Sequence, residues 1–384
     1  MVYFILRVAQ FLAVIGALCG IAFYILSIWS ARSFLHDVAS PLPAFTPPLS
    51  VLKPLHGIDR GMYESFRGHC VQDYSAYELI FAVSEPDDPA IQLVEQLQRE
   101  FPLRAIRLII SSRVLGTNTK VSNLAQMLLH ATYDHILVND SDIRVRSDYL
   151  RRVMAPLQDP GVGLVTTLYR GIAGKTLASK LEAIGISTDF SAGVLTARLI
   201  EGGVHFALGS TLALRKKVLQ SIGGFETLVD YLADDFELGL RVSAAGLKVQ
   251  ISDIVVDHLL PDYTLQGYWQ HQLRWNRSTR DSRPWGYLGL VLTFGFPWAL
   301  LALALSRGAN WAWALVGTAV VSRLLMAWIV SIRVLHDRQF WGQLWLLPIR
   351  DLLAVGIWIA SYAGHTIAWR GNRLRLDKGK LRPA

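Results

Sequence analysis

The chain has 384 residues and a formal net charge of +8, with 52% hydrophobic and only 18% charged residues. A typical soluble domain has about 25% charged residues, so this composition excludes a wholly soluble protein, and it also excludes a disordered or collagen-like one. The two cysteines, Cys19 and Cys70, are too few to organise the fold through disulfides. Length and composition predict one globular domain of about 240 residues with membrane segments attached.

The N-terminal segment Tyr3–Trp29 is almost continuously apolar, and about 20 such residues span a bilayer. The competing interpretation is a signal peptide, whose apolar core is about 7–15 residues long and is followed by a small-residue cleavage site. Here the run is longer and closes at Trp29 to Arg32, which favours an uncleaved anchor over residues 1–32. Tyr24 and Trp29 are typical of a membrane interface.

The C-terminal part, residues 286–370, carries further candidate membrane segments. The apolar stretches are Tyr287–Leu305, Trp311–Ile332 and roughly Leu352–Trp369. The basic tail 371–384 belongs in the cytoplasm by the positive-inside rule, but three full crossings after a cytoplasmic domain would put it outside. We therefore expect Tyr287–Leu305 to be re-entrant, because Pro297 and nearby glycines weaken it as a straight span. Arg323, inside the second stretch, should face protein or water.

Between the membrane segments, a proline-rich linker over residues 33–48 precedes a domain over residues 49–264 that alternates strands with helices. The predicted strands are Leu49–Lys53, Tyr77–Ser84, Ile106–Ile110 and His135–Val138, and the predicted helices are Pro89–Glu100 and Asn118–Ala131. This alternation predicts an α/β sandwich on a parallel sheet. In such sheets ligands bind beyond the carboxyl ends of the strands, so chemistry is expected there.

An acidic pair follows the fourth predicted strand in the sequence Asn139-Asp140-Ser141-Asp142. Two carboxylates in this spacing can reach one hard cation, and Mg²⁺ or Mn²⁺ prefers oxygen ligands and leaves sites open for phosphates. The alternative is an ordinary turn and helix cap. The strand-end position and the neighbouring motifs favour the metal hypothesis.

Two other strand ends carry polar motifs. Asp87 and Asp88 follow the second strand, where a carboxylate could accept from a nucleobase N–H; Asp88 before Pro89 is also an ordinary helix start, and both roles are compatible. Gly116–Leu124 opens a helix after the third strand. Its backbone N–H groups, together with Lys120, would suit a diphosphate, and the alternative is simple helix capping.

Further along, Asp234, Asp235 and Glu237 place three carboxylates in the first turn of a predicted helix that ends near Ala245. The helix dipole explains one or two acids there. A third acid indicates a general base for an acceptor hydroxyl. The upstream turn Gly209-Ser210-Thr211 could flank the site or be an ordinary loop.

The segment 265–285 has arginines every three residues with aromatic residues between them. These arginines are Arg274, Arg277, Arg280 and Arg283. The pattern predicts an amphipathic helix whose basic face meets anionic headgroups. The residues expected on its buried side are Leu265, Tyr268, Trp269, Leu273 and Trp275. A guanidinium here could also neutralise a leaving diphosphate. The adjoining membrane segment argues against nucleic acid as a partner.

Taken in order, Asp88, Asp140, Asp235 and Arg274-Trp275 resemble the D, D, D, (Q/R)xxRW signature of processive and lipid-directed inverting glycosyltransferases with a GT-A fold. Within that group the chain is similar to ceramide glucosyltransferases and their bacterial relatives, including the hopanoid-associated enzymes that add N-acetylglucosamine to bacteriohopanetetrol. The similar local strings are Val51–Leu55, Asp87–Ala90, Gly116–Leu124 and Asp140–Arg144, together with the anchor, the C-terminal apolar stretches and the Trp369-Arg370 ending.

The resemblance implies a Rossmann-like GT-A domain between N-terminal and C-terminal transmembrane helices. It implies transfer of a hexose, glucose or N-acetylglucosamine, from a UDP-sugar to a hydroxyl of a membrane lipid, ceramide-like or hopanoid, with inversion to a β-glycolipid. The expected location is the bacterial inner membrane with the catalytic domain in the cytoplasm.

The resemblance also implies roles for individual residues. The expected nucleotide-sugar-binding residues are Asp88, Lys120, Asn123 and Asp140. Asp140 with Asp142 would hold Mg²⁺ or Mn²⁺ on the diphosphate. Asp235 would deprotonate the acceptor hydroxyl, and Arg274 with Trp275 would close over the donor diphosphate and the acceptor.

Two positions depart from the family pattern. His271 stands three residues before Arg274, where the family usually has Gln or Arg, and Asp234 stands where the eukaryotic enzymes tend to have Glu. The segment Thr188–His205 gives no clear match, so the acceptor lipid stays open. The alternatives are a processive polysaccharide synthase, which normally needs more membrane spans, and a non-catalytic, lipid-binding membrane scaffold.

Overall fold

The computed structural model describes residues 1–37, 44–369 and 372–383, and its middle part is built on a sheet of eight strands. The strands are β1 Leu49–Pro54, β2 Tyr77–Val83, β3 Ala105–Ile110, β4 His135–Val138, β5 Ile143–Arg144, β6 Val162–Ile172, β7 Leu212–Arg215 and β8 Lys248–Leu259. Across the sheet they follow the order β3-β2-β1-β4-β7-β6-β8-β5.

Helices connect and cover these strands. In chain order they are α1 Val2–Asp37, α2 Met62–Cys70, α3 Ala90–Glu100, α4 Thr119–Leu128, α5 Tyr149–Met154, α6 Leu177–Gly185, α7 Ser191–Ile200, α8 Lys216–Ser221, α9 Asp234–Ala244, α10 Leu265–Ser282, α11 Pro284–Gly289, α12 Gly295–Leu305, α13 Asn310–Trp328, α14 Phe340–Gln343 and α15 Leu347–Ser361. The four strands and the helices expected from the sequence are confirmed to within a few residues.

The strands β1 to β4 are parallel to one another, since β1 pairs with both β2 and β4, and β2 pairs with β3. Parallel neighbours need crossover connections, which α2, α3 and α4 supply. β7 runs antiparallel to both β4 and β6, so the sheet is mixed. The loops after β1, β2 and β4 therefore meet at one edge, where the predicted motifs lie.

In the part of the chain that the structure describes, four helical segments are long and apolar enough to cross a membrane. They are Val2–Asp37, Leu177–Ile200, Asn310–Val334 and Phe340–Ser361. The pair Pro284–Thr293 and Gly295–Leu305 passes the same test together but bends by 54° at the break, as a broken span or a re-entrant loop would. Leu177–Ile200 has no counterpart among the stretches recognised in sequence, because Lys180, Glu182 and Asp189 interrupt it.

Two predicted boundaries are wrong. The first helix continues to Asp37, so the linker cannot begin at position 33; Pro41 and Pro43 of that linker lie outside the described residues. The stretch Leu352–Trp369 does not form one membrane helix. The helical segment here starts earlier, at Phe340, and ends at Ser361. Gly364 follows with a φ of 117°, a backbone conformation that favours glycine and that ends the helical path.

Most of the basic tail forms part of a small sheet. The strands β9 Thr366–Trp369, β10 Asn372–Asp377 and β11 Lys380–Pro383 form an antiparallel sheet. The N–H of Leu381 donates to the carbonyl of Asp230 at 2.7 Å, and the N–H of Leu232 donates to the carbonyl of Gly379 at 3.1 Å. This C-terminal sheet thus lies against the segment that leads into α9. Arg370 of the Trp369-Arg370 ending lies outside the described residues.

The intramembrane arginine meets the expectation that it faces protein. Arg323 is 4% exposed, with Nη2 2.7 Å from Oδ1 of Asp351 and 2.5 Å from Oδ1 of Asp189. A charge in an apolar helix is tolerated when it is paired in this way. The ion pairs join α13 to α15 and to the Leu177–Ile200 helix.

Candidate active site

The acidic pair after β4 and the acidic helix start meet at Lys120. Its Nζ lies 2.8 Å from Oδ1 of Asp140 and 3.5 Å from Oδ2 of Asp234. Lys120 sits in the first turn of α4, where the side chain of Asn118 caps the helix by accepting from the N–H of Val121 at 3.2 Å. Three loops that are distant in sequence therefore converge on one ammonium group.

The ammonium group of Lys120 is stabilised in its protonated, charged form. Burial would lower the pKa of Lys120, but the carboxylates of Asp140 and Asp234 raise it above the usual value. Lys120 was expected to face a diphosphate, and here its ammonium group contacts carboxylates. Because two acids share it, their negative charge is only partly compensated.

A second lysine, Lys53, binds the loop that carries the acidic pair. This side chain at the end of β1 is fully buried, and its Nζ donates to Oδ1 of Asn139 at 2.5 Å and to the carbonyl of Asp140 at 2.8 Å. Burial lowers the pKa of Lys53 to about 7, against the opposing charges of Asp140 and Asp142. Lys53 thus fixes the backbone of the acidic loop. In the sequence, the feature that could have indicated this role is a lysine within a mostly apolar strand.

The second acid of the pair is engaged by a histidine. Oδ2 of Asp142 lies 3.0 Å from Nε2 of His258, at the end of β8. Burial opposes both charges, yet the pair lowers the pKa of Asp142 and raises that of His258. No sequence motif pointed to His258, because the pairing depends on β5 meeting β8 at the sheet edge.

Asp235 lies in the first turn of α9, and its Oδ1 accepts from the N–H of Phe236 at 2.8 Å. Burial and the neighbouring charge of Asp234 raise its pKa to about 6, although Lys120 acts in the opposite direction. Gly209 faces both this carboxylate and that of Asp140, so a single methyl group at Gly209 would contact the two. The sequence-predicted base and the acidic pair are therefore brought together.

Glu237, the third acid of the helix start, does not join them. Its Oε1 accepts from Nε of Arg241 at 2.9 Å, one turn further along α9. This is an ordinary ion pair on a helix surface.

The residues predicted to hold the nucleotide lie beside this centre. Asp88 is buried, with Oδ2 accepting from the N–H of Gly57 at 2.9 Å and Oδ1 accepting from the N–H of Ala90 at 2.9 Å. The helix-start role of Asp88 is thus present. Asn123 is also buried, and its Oδ1 accepts from the hydroxyl of Ser84 at 3.1 Å. Any role of these two side chains toward a nucleotide stays a prediction.

The helix α10 carries Arg274 and Trp275, both half-buried. Burial raises the pKa of Tyr263 overall, although the positive charge of Arg274, which lies near it, acts to lower that pKa. The ring of Trp275 lies 5.0 Å from that of His271 and 6.1 Å from that of Phe190. The roles of Arg274 and Trp275 toward donor and acceptor stay predictions.

The basic face expected for α10 is wrong in part. Arg280 is buried and donates to the carbonyls of Ser361 and Gly364, while Arg277 donates to the carbonyl of Ala363 at 3.0 Å. Arg280 therefore binds the last carbonyl of α15, which has no partner within the helix, and both arginines bind carbonyls of the segment that follows it. They are not free to meet headgroups.

The predicted buried side of α10 is corrected as well. Tyr268 is buried as expected, but Leu265 is 64% exposed and Trp269 is 37% exposed. The buried positions are instead Tyr268, Gln272 and Arg280, which follow the i, i+4 spacing and carry polar groups. A prediction from the apolar residues alone therefore gave the wrong buried face of α10.

The acidic pair fits a hard cation by the chemistry of its donors. Within residues 1–37, 44–369 and 372–383, no three His, Cys, Asp or Glu side chains gather as a metal cluster. Mg²⁺ is often held by only one or two carboxylates, with substrate phosphates and water filling the other positions. Asp140 and Asp142 could supply that smaller set, although they pair here with Lys120 and His258, and their role as metal ligands stays a prediction.

Parallel strands with acids at their carboxyl edge, followed by an acidic helix start and an Arg-Trp pair, define a glycosyltransferase of the GT-A type. The chain belongs to glycosyl transferase family 21, whose model matches residues 12–382.

Curated relatives and a solved structure agree with this assignment. The chain is 25% identical over 400 residues to Ceramide glucosyltransferase 3 of Caenorhabditis elegans, covering 97% of this chain and 83% of that protein. It is 24% identical over 356 residues to Ceramide glucosyltransferase 1 of the same organism, covering 90% and 75%. The mannosyltransferase PcManGT from Pyrobaculum calidifontis, in complex with GDP-Man and Mn²⁺, matches with a TM-score of 0.58 at 20% identity, over 90% of this chain and 99% of that one. That structure shows a shared fold.

Proposed function

We propose that this protein transfers glucose or N-acetylglucosamine from a UDP-sugar to a hydroxyl of a membrane lipid, ceramide-like or hopanoid, with inversion to a β-glycolipid. The observation that carries the proposal is that Asp235 and Asp140 face the same point at Gly209, beside the carboxyl ends of parallel strands. The names of the relatives, which are ceramide glucosyltransferases, support a lipid acceptor and a glucose-type donor.

Asp235 is the proposed general base. A base works best when its pKa lies near the operating pH, and a pKa of about 6 meets that condition. The acceptor O–H gives its proton to Asp235, and the acceptor oxygen forms a bond to the anomeric carbon. The bond from that carbon to the UDP oxygen breaks on the opposite face, and its electron pair leaves with UDP. Attack from the opposite face inverts the configuration of an α-linked donor.

The donor side is assigned to Asp140, Asp142, Lys120 and Arg274. Asp140 and Asp142 would hold Mg²⁺ or Mn²⁺, which supplies positive charge to a leaving diphosphate. Lys120 lies against Asp140 and keeps the cluster of acids from repelling an anionic donor. Arg274 offers a planar guanidinium, which binds phosphate oxygens in pairs.

We place the protein in the bacterial inner membrane, with the catalytic domain and the tail on the cytoplasmic side. The C-terminal sheet packs on the segment before α9, so the tail and the catalytic domain share one side. Two full crossings by Asn310–Val334 and Phe340–Ser361, with a re-entrant bent pair before them, satisfy that condition. A lipid hydroxyl then rises only a short distance to reach Asp235.

The proposed function is tested by measuring sugar transfer to lipid. Purified protein in vesicles that contain ceramide or a hopanoid polyol is incubated with labelled UDP-glucose, UDP-N-acetylglucosamine or GDP-mannose. Label in a small extractable lipid is the expected result, and mass spectrometry then identifies sugar and lipid. Label in a polymer would indicate a polysaccharide synthase. Transfer from GDP-mannose alone would overturn the donor assignment, and no label from any donor would favour a scaffold.

A further inference from the structure

The membrane helices and the Arg-Trp pair are joined by a continuous set of buried polar contacts. Beyond Arg323 and Asp351, Oδ2 of Asp189 lies 3.5 Å from Nη2 of Arg350. The same Nη2 donates to Oε1 of Gln272 at 3.4 Å, on α10. Arg350 and Gln272 are buried, so water screens the contact between them little, while Asp189 is partly exposed.

The chain of contacts continues to Glu182. This carboxylate, on α6, is 1% exposed and its Oε2 accepts from Nε2 of Gln272 at 2.7 Å. Its other oxygen, Oε1, lies 3.6 Å from Nδ1 of His271. Both amide atoms of Gln272 are thus used, one toward Glu182 and one toward Arg350, which fixes the rotation of α10 at this turn.

His271 transmits that position to Trp275. Its ring lies between the ring of Tyr263 at 5.2 Å and the ring of Trp275 at 5.0 Å, and Trp275 also contacts Phe190 at 6.1 Å. Aromatic pairs at such separations favour particular tilts rather than free rotation. The imidazole therefore packs against one side of the tryptophan, and the Glu182 carboxylate lies within ion-pair distance of the imidazole.

A buried carboxylate is costly unless it is hydrogen-bonded or paired, so a structural reason for Glu182 is needed. An apolar residue could pack α6 against α10 without that cost. The acid instead selects two polar partners that are consecutive in sequence, Gln272 and His271, just ahead of the Arg-Trp pair.

We propose that Glu182 and His271 are positioning residues that set the orientation of Trp275 at the active site. The proposal rests on the proposed function only for the effect on turnover, since the orientation itself is measured without substrate. Nδ1 of His271 is the polar atom that faces Oε1 of Glu182, at 3.6 Å, and a Gln side chain in its place could present its amide N–H to the same oxygen. Leu in its place could not.

The first measurement needs no activity. Protein carrying 5-fluorotryptophan is prepared in detergent, and the ¹⁹F resonance of Trp275 is assigned with Trp275→Phe. We expect this resonance to move in His271→Leu and in Glu182→Gln, because the first removes the ring nitrogen and the second removes the carboxylate charge that faces it. The double variant should show no further movement, since both changes act on the same pair. An unmoved resonance, or shifts that simply add, would overturn the proposal. Matched controls at exposed sites are His130→Leu and Glu95→Gln.

The second measurement separates positioning from a merely structural role. In His271→Leu we expect kcat with the lipid acceptor to fall about tenfold or more, with UDP binding and the unfolding temperature near wild type. His271→Gln should recover most of that turnover. Equal losses in His271→Gln and His271→Leu would contradict the proposal. A wild-type protein that transfers no sugar would refute the proposed function and leave the ¹⁹F result to decide the contact.

Discussion

Asp140 and Asp235 face each other across Gly209: a Cβ atom at this glycine would lie 3.1 Å from Oδ2 of Asp235 and 3.5 Å from Oδ2 of Asp140. The two acids come from different loops, one after β4 and one at the start of α9. Gly209 thus lies beside both Asp140, which is assigned to the donor, and Asp235, which is assigned to the acceptor. The space above it is where a sugar carbon would be attacked.

Gly209→Ala should therefore impair transfer. A new methyl group would press on the Asp235 carboxylate, which must shift by a few tenths of an ångström. Misplacement of a reacting group by about 1 Å can cost about 10²-fold, so we expect a loss of up to that size in kcat. The matched control is Gly203→Ala, since nothing lies within 4 Å of a Cβ there. Equal kinetics for the two variants would contradict the shared site.

Asp235→Asn should remove the proton acceptor while leaving the local structure in place. The amide oxygen can still accept from the N–H of Phe236, as Oδ1 does now. General-base help is typically worth about 10²–10⁴-fold, so transfer should fall by that factor while UDP binding, measured by calorimetry, stays near wild type. Glu237→Gln is the control, because that acid pairs with Arg241. Wild-type turnover in Asp235→Asn would refute the assignment.

The pH profile should report the same group. Asp235 acts as a base only when ionised, and its pKa is raised to about 6 by burial and by Asp234, against Lys120. We expect kcat/KM to fall about tenfold per unit below pH 6 and to level off above it. Lys120→Met removes a charge that lowers this pKa, so the midpoint should move upward. A midpoint near the ordinary value of an aspartate would argue against Asp235 as the base.

Metal dependence follows from the small donor set at Asp140 and Asp142. EDTA should abolish transfer, Mg²⁺ or Mn²⁺ should restore it, and Asp140→Ala should not be restored. Because only two carboxylates come from the protein, Mn²⁺ should bind weakly alone and more tightly with UDP present, as measured by calorimetry. Full turnover in excess EDTA would exclude the metal role.

Much of the eight-stranded sheet could be predicted from the sequence, because buried parallel strands form nearly continuous apolar runs. The strands Leu49–Pro54 and Tyr77–Val83 are buried along their whole length. The polar residues that follow such runs then fall at one edge without further information. Asp140 could be named from that rule, and Asp235 from the three acids at a predicted helix start, both together with the family resemblance.

The residues that hold those acids could not be named in this way. His258 reaches Asp142 only through the pairing of β5 with β8, and Glu182 reaches α10 only through tertiary packing. Neither contact has a sequence spacing. The Leu177–Ile200 helix was hidden for a related reason, since charges such as Glu182 and Asp189 that are paired inside the protein resemble solvent-exposed charges in a sequence.

The arginines of α10 should separate into two classes when each is replaced by lysine. Arg274→Lys keeps the charge but loses the planar pair of donors, so most transfer should be lost while the protein stays folded and in the membrane. Arg277 and Arg280 hold the carbonyls that follow α15, and the pattern of basic residues alone would have made them dispensable. A lysine cannot reach the several carbonyls that Arg280 binds, and leaving buried partners unsatisfied costs about 1–3 kcal/mol. Arg280→Lys should therefore lower the free energy of unfolding by about that amount, measured by denaturant titration in detergent, and so reduce activity through stability. Arg373→Lys, at an exposed position, is the control. If Arg280→Lys unfolded like the control while Arg274→Lys lost stability instead, the two roles assigned here would be reversed.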